Sequence, residues 1–126
     1  MKLKICDTQT KLAEKVMSLK SQGSSPMGPA VLTSIILAGE GAPGSTVIIC
    51  TDGAANEGIG KIDKVSADEL EKSRAFYNKL GDLAKDKGVT CNIISIKGEE
   101  CSLSILEDVC FKSGGDIIEE DPQNLK

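Results

Sequence analysis

Val47-Ile48-Ile49-Cys50-Thr51-Asp52-Gly53 is an unbroken apolar run that ends on an acid and a glycine. No polar residue alternates through it, so it reads as a strand covered on both faces, the pattern of a parallel sheet between helical layers. Open α/β sheets gather their ligands at the C-terminal ends of such strands. Asp52 therefore leads the candidates for a functional residue. The glycine-rich stretch Ala54-Ala55-Asn56-Glu57-Gly58-Ile59-Gly60 that follows reads as a mobile loop able to meet a partner.

Working outward, strand and helix signals alternate. On the N-terminal side, Gly28 to Ala38 predicts a helix that is apolar nearly all round, at Val31, Leu32, Ile35, Ile36 and Leu37, and so belongs in the interior of a larger assembly. Before it, Gly23-Ser24-Ser25-Pro26 stops a first helix from about Gln9 to Leu19. Asp7 or Thr8 caps that helix, and Leu12, Val16 and Leu19 form its buried stripe. On the C-terminal side, Ser66-Ala67-Asp68-Glu69 matches a capping box, and Leu70, Ala75, Phe76, Leu80, Leu83 and Ala84 carry a helix to Lys87 with Gly88 as its stop. Val89 to Ile96 is the next strand. A helix from Ser102 or its neighbour runs through Leu103, Leu106, Val109 and Phe111 to Gly114-Gly115, and Asp116 to Ile118 is the last strand. Strands separated by helices of this length need right-handed crossovers. The expected fold is α/β, a three-layer sandwich with a mainly parallel sheet flanked by helices, and residues 1–126 read as a single domain.

Composition narrows the function classes. At 40% hydrophobic residues the 126-residue chain can bury a core, and its charge of −4, without a basic stripe and with two Phe and one Tyr to stack on bases, argues against nucleic-acid binding. No segment reaches the roughly 20 apolar residues that span a bilayer, and Met1 to Cys6 is too short for a signal peptide, so a cytoplasmic protein is expected. The five cysteines form no C-x-x-C pair and are odd in number, which favours reduced thiols, with Cys50, Cys91 and Cys110 as small core residues. The chain has no histidine, hence no Cys-His nucleophile and no His-containing zinc site.

Several motifs in order resemble the C-terminal half of a von Willebrand factor A-type domain. They are Gly23-Ser24-Ser25-Pro26-Met27-Gly28-Pro29-Ala30, Thr51-Asp52-Gly53 with Asn56-Glu57-Gly58-Ile59-Gly60, Phe76-Tyr77-x-x-Leu80 with Ala84 and Gly88, and Leu103-Ser104-x-Leu106-Glu107 with Ser113-Gly114-Gly115 and Asp121-Pro122. The pattern is closest to the trunk region of COPII inner-coat proteins and to the A-type module of circularly permuted Ras-like proteins, and it spans about residues 20 to 125. In metal-binding A domains a divalent cation is held by a D-x-S-x-S loop, a Thr before a helix and an Asp in a later turn. The resemblance puts Ser25 at the Thr position and Asp52 at the Asp. Such hard oxygen ligands suit Mg²⁺, but no D-x-S-x-S occurs in the sequence, so three ligands of that set are missing. The alternative is structural: Asp52 caps its own turn and Ser25 caps the next helix.

Other motif-like groupings carry less. Gly39-x-Gly41-x-x-Gly44 precedes a strand, whereas a dinucleotide fingerprint follows one. Gly58-Ile59-Gly60-Lys61 lacks the spacing of a P-loop. Asn78-Lys79-Leu80-Gly81-Asp82 is similar to the guanine-reading N-K-x-D, but its acid comes one residue late on what should be a solvated helical face. The acids Glu99-Glu100 and Glu119-Glu120-Asp121 read as a turn and a tail. The expectation is a non-catalytic protein-interaction scaffold, in a vesicle-coat or Ras-linked protein. Its contact loop comprises Ser24, Gly53, Asn56, Glu57, Gly58 and Lys61, and no cofactor is needed. The alternative is a divalent-cation-dependent A domain whose Mg²⁺ site, with Ser25 and Asp52, is completed outside this chain. The strand Val47 to Cys50 should carry an open edge, covered by a homodimer or by Lys2 to Cys6 folding back as a strand.

Overall fold

The computed structural model describes residues 4–52, 55–96, 103–121 and 123. Seven elements follow one another as α1 (Ile5–Met17), α2 (Met27–Gly39), β1 (Ser45–Thr51), α3 (Ala67–Asp86), β2 (Val89–Ile96), α4 (Leu103–Ser113) and β3 (Ile117–Glu120). The three strands lie parallel in the order β1-β2-β3, with Ser45 opposite Val89 and Ile93 opposite Ile117. The fold is α/β with a parallel sheet and four helices, compatible with a three-layer sandwich.

Local chemistry explains the element ends. The Ser66 hydroxyl accepts the Glu69 N–H while the Glu69 carboxylate accepts the Ser66 N–H at 2.9 Å, so two helix-end donors are satisfied reciprocally. Gly88 and Gly114 follow the helices with φ of +64° and +76°, left-handed values that release the chain into β2 and β3. Between α3 and α4 the backbones approach closely: a Cβ on Gly81 would lie 2.8 Å from the Asp108 carbonyl oxygen. Lys112 fastens the same crossing by donating to Asn78 Oδ1 and Asp82 Oδ1, both at 2.7 Å. Asn78 is thus half-buried at the crossing, while Lys79 and Asp82 stay exposed, as expected of a solvated face, with Asp82 also paired to Lys112.

The core lies on one side of the sheet. Val47, Cys91 and Ile93 point into it and meet Val31 and Ile35 of α2, Tyr77, Leu80 and Ala84 of α3, and Ile105, Leu106, Val109 and Cys110 of α4. Burial pushes the Cys110 thiol up to about 12 and also raises that of Cys91, as expected for inert core thiols. The opposite side departs from expectation. Thr46, Ile48 and Cys50 of β1 are exposed, Ile48 at 62%, so β1 is covered on one face among the described residues and Cys50 is not a core residue. Helix α1 differs more. It starts at Ile5 with Lys4 at the N-cap position and Asp7 within its first turn, and none of its residues is buried. The stripe Leu12, Val16 and Leu19 is exposed, and Ile5 and Cys6 of the expected substitute strand are helical; Lys2 and Leu3 lie outside the described residues. Phe111 also points outward, because Val109 and Cys110 take the inward positions of α4. On α2, Ile36 and Leu37 remain exposed, a part of its all-round apolar surface that no described residue covers.

Candidate functional site

At the C-terminal end of the sheet, a groove of about 580 Å³ opens between α2 and β1. One wall is built from the start of α2 and the segment before it: Ser25, Pro26, Met27, Ala30, Val31 and Ser34. The other comes from Ile48 to Asp52 with Ile96 of β2. The small side chains Ala30 and Ser34 stand at i and i+4 on one face of α2, which leaves the groove open where larger residues would close it. Its floor is apolar and its rim at the strand ends carries Ser25 and Asp52. The resemblance paired these two residues, and the fold brings both to one groove.

The segment holding Ser25 is clamped. Its N–H donates to Asn56 Oδ1 at 2.7 Å, and its carbonyl accepts from the Asn56 N–H at 3.3 Å and the Met27 N–H at 3.0 Å. Asn56 therefore splints the two loops together. Ser25 does not cap α2: Pro26 occupies the N-cap position and no side-chain capping bond forms there. Among the described residues no three His, Cys, Asp or Glu side chains converge on one position. Ser25 and Asp52 supply one hydroxyl and one carboxylate, and Mg²⁺ fills an octahedron with further oxygens, waters among them.

From Ala55 onward the loop is anchored at several points. Ala55 and Ile62 are buried, and the Ala55 carbonyl accepts from the N–H groups of Ile62 at 2.8 Å and Asp63 at 3.1 Å, closing the intervening residues into a ring. From α3, the Tyr77 hydroxyl donates to the Gly60 carbonyl at 2.9 Å and the Ser73 hydroxyl to the Lys61 carbonyl at 2.6 Å. A Cβ on Gly28 would run into the Ile59 carbonyl, so glycine is required where the loop crosses the start of α2. These ties oppose the mobility that the glycines suggested. Burial raises the Tyr77 phenol to about 12.

Of the expected contact residues, Ser24, Glu57 and Gly58 are exposed beside the groove, Lys61 is half-buried with its carbonyl taken by Ser73, and Asn56 is exposed but engaged with Ser25. Gly53 lies outside the described residues. Ile59 was missed by the sequence reading. It stands 66% exposed at the tip of an anchored loop, an apolar side chain held toward solvent. The only signal was an isoleucine between two glycines, a position where no core contact is available.

Comparison with known proteins adds one relationship. A curated relative from Dictyostelium discoideum, described as circularly permutated Ras protein 1, is 36% identical over 106 residues. The match takes in 84% of this chain and 12% of that protein, so the chain spans about an eighth of its relative's length. No family model matches the chain, and no solved structure does.

Proposed function

We propose that residues 1–126 form one von Willebrand factor A-like, COPII trunk-like domain fragment. It acts as a non-catalytic protein-interaction module of a Ras-linked cytoplasmic protein. Two observations carry this reading together: the apolar groove, whose floor offers Ile48 and Cys50, and the anchored loop that crosses the start of α2 at Gly28 and holds Ile59 outward. Rigidly presented apolar groups with a polar rim are what protein interfaces use for anchoring. The relative's name favours the Ras-linked branch of the resemblance over the vesicle coat. The absence of histidine from the sequence supports a binding role, since the usual general base at neutral pH is missing.

A second reading is favoured by one observation, the arrival of Ser25 and Asp52 at the same groove. In that reading the pair is part of a Mg²⁺ site whose other ligands come from outside this chain. Titration of the purified chain with a Ras-type GTPase domain, in its GDP and GTP states, tests the first reading. Saturable binding should appear without added Mg²⁺ on this chain, and Ile59→Asp should weaken it roughly tenfold, as expected for losing an apolar anchor of about 1.4 kcal/mol. No binding in either state, with a GTP hydrolysis rate above background from the chain itself, would overturn it.

A further inference from the structure

Among the described residues two apolar surfaces lack a partner. The first is the open face of the sheet, where Ile48, Cys50 and Ile118 are exposed and Ile94 and Ile96 half-buried. The second is α1. At about 100° per residue, Ile5, Leu12 and Val16 fall within a narrow stripe, and all three are exposed, Ile5 at 76% and Val16 at 63%. An amphipathic helix that short is marginal alone in water and draws its stability from burying its stripe.

We propose that α1 of one copy seats on the open sheet face of a second copy, in a reciprocal exchange. Dimensions fit: thirteen residues make a helix about 20 Å long and 10 Å wide. The eight residues of β2 extend about 26 Å, and three strands spaced about 4.8 Å apart form a face one helix wide. Charge fits as well. Between Lys4 and Lys20 there are four lysines and two acids, which leaves eleven basic and seventeen acidic residues for the rest of the chain. Lys4 at the N-cap, Lys11 and Lys15 run along one flank of the apolar stripe, and the sheet ends on Asp52 and Glu120. The helix itself sets Lys11 and Lys15 against Asp7 and Glu14, so it is this lysine flank that meets an acidic body.

The linker, Ser18 to Pro26, is exposed throughout, and its nine residues reach up to about 30 Å, enough to carry α1 to a neighbouring chain. Exchange is favoured over folding back because of β1. This strand is an edge, and Ser45-Thr46-Val47-Ile48-Ile49-Cys50-Thr51 carries no charge and no proline to guard it. A helix folding onto its own sheet would cover the face and leave the edge open, whereas exchange brings a second chain against both. Reciprocity also doubles each seat, toward the roughly 1,600 Å² that specific interfaces bury in total.

Sedimentation of the full chain at micromolar concentration tests the exchange. A dimer is expected, twice the 13.2 kDa of one chain. Leu12→Asp with Val16→Asp, and separately Ile48→Lys, alter exposed positions and should each give a folded monomer by circular dichroism. Mixing the two variants should restore a dimer, because each mixed pair keeps one intact helix and one intact sheet face. A wild-type monomer at all concentrations overturns the proposal, whether α1 amides are protected from exchange, as in folding back, or unprotected. A dimer that survives both variants, or variants that do not complement, overturns it equally. The seat shares Ile48 and Cys50 with the groove, so GTPase titration of the Leu12→Asp, Val16→Asp variant, whose groove is intact, lets either proposal fail alone.

Discussion

Tyr77 shows how one side chain can tie a loop to the core. Its ring is fully buried beside Phe76 in an edge-to-face pair, and its hydroxyl satisfies the Gly60 carbonyl. Tyr77→Phe keeps the ring and leaves that carbonyl without its donor, so a loss of about 1–3 kcal/mol is expected in urea unfolding. The same residue sets an alkaline limit. Its pKa is raised from 10 to about 12 in the folded state, so its contribution is complete below pH 10 and is lost as pH rises toward 12, because the unfolded chain releases the proton first. As the chain's sole tyrosine, its phenolate absorbance should rise together with unfolding, and titration near pH 10 with the fold intact would contradict its burial. Gly28→Ala, by contrast, should act on loop position: its Cβ meets the Ile59 carbonyl, so the variant should expose Ala55 and Ile62 to faster amide exchange. Neither role was legible in the sequence. Tyr77 stood in a motif as a letter, and a tyrosine on a helix does not announce which carbonyl its hydroxyl will reach.

At the scale of elements, α3 has the clearest local code. Ser66→Ala removes the acceptor of the Glu69 N–H and should cost about 1 kcal/mol in thermal unfolding. The hydrogen bonds from the Ser66 N–H and hydroxyl hold the Glu69 carboxyl below its usual value, so its stabilisation is present above the ordinary carboxylate pKa and is lost as pH falls through the lowered one. Glu69→Gln should flatten that part of the acid limb of the stability curve. Elements with such local codes were legible: the bounds of β2 and the box of α3 follow from alternation and capping, and Gly88 and Gly114 mark their turns. Elements whose definition depends on what covers them were not. The same apolar period that correctly marks α3 also marks α1, yet α1 buries nothing among the described residues, because periodicity states which side wants a neighbour and not whether one is present. The anchoring of the loop after Asp52 was hidden for a related reason, since its ties run to α3 hydroxyls that lie well downstream. Slow exchange of the Ile62 amide, comparable with β1, is the expected signature of those ties.

For the whole molecule, the groove at the sheet's C-terminal end was foreseeable from Asp52 because parallel strands place their loops together at one end. Its width was not, as it depends on Ala30 and Ser34 facing β1. If Ser25 and Asp52 alone make no metal site, millimolar Mg²⁺ should leave the melting temperature of the chain unchanged, whereas a rise abolished by Asp52→Ala would establish a site. The parallel register has a consequence for time. Ser45 pairs with Val89, forty-four positions on, and Ile93 with Ile117, twenty-four positions on, so no strand can find its partner through a short turn. Chains built from such distant pairings pay their loop-closure entropy early and fold slowly for their size. The capped α3 spans the longer of those two gaps and can form from its own sequence, which makes it the natural nucleus. Ser66→Ala should then slow refolding more than it speeds unfolding, and the kinetics of this chain would be governed by one serine far from its groove.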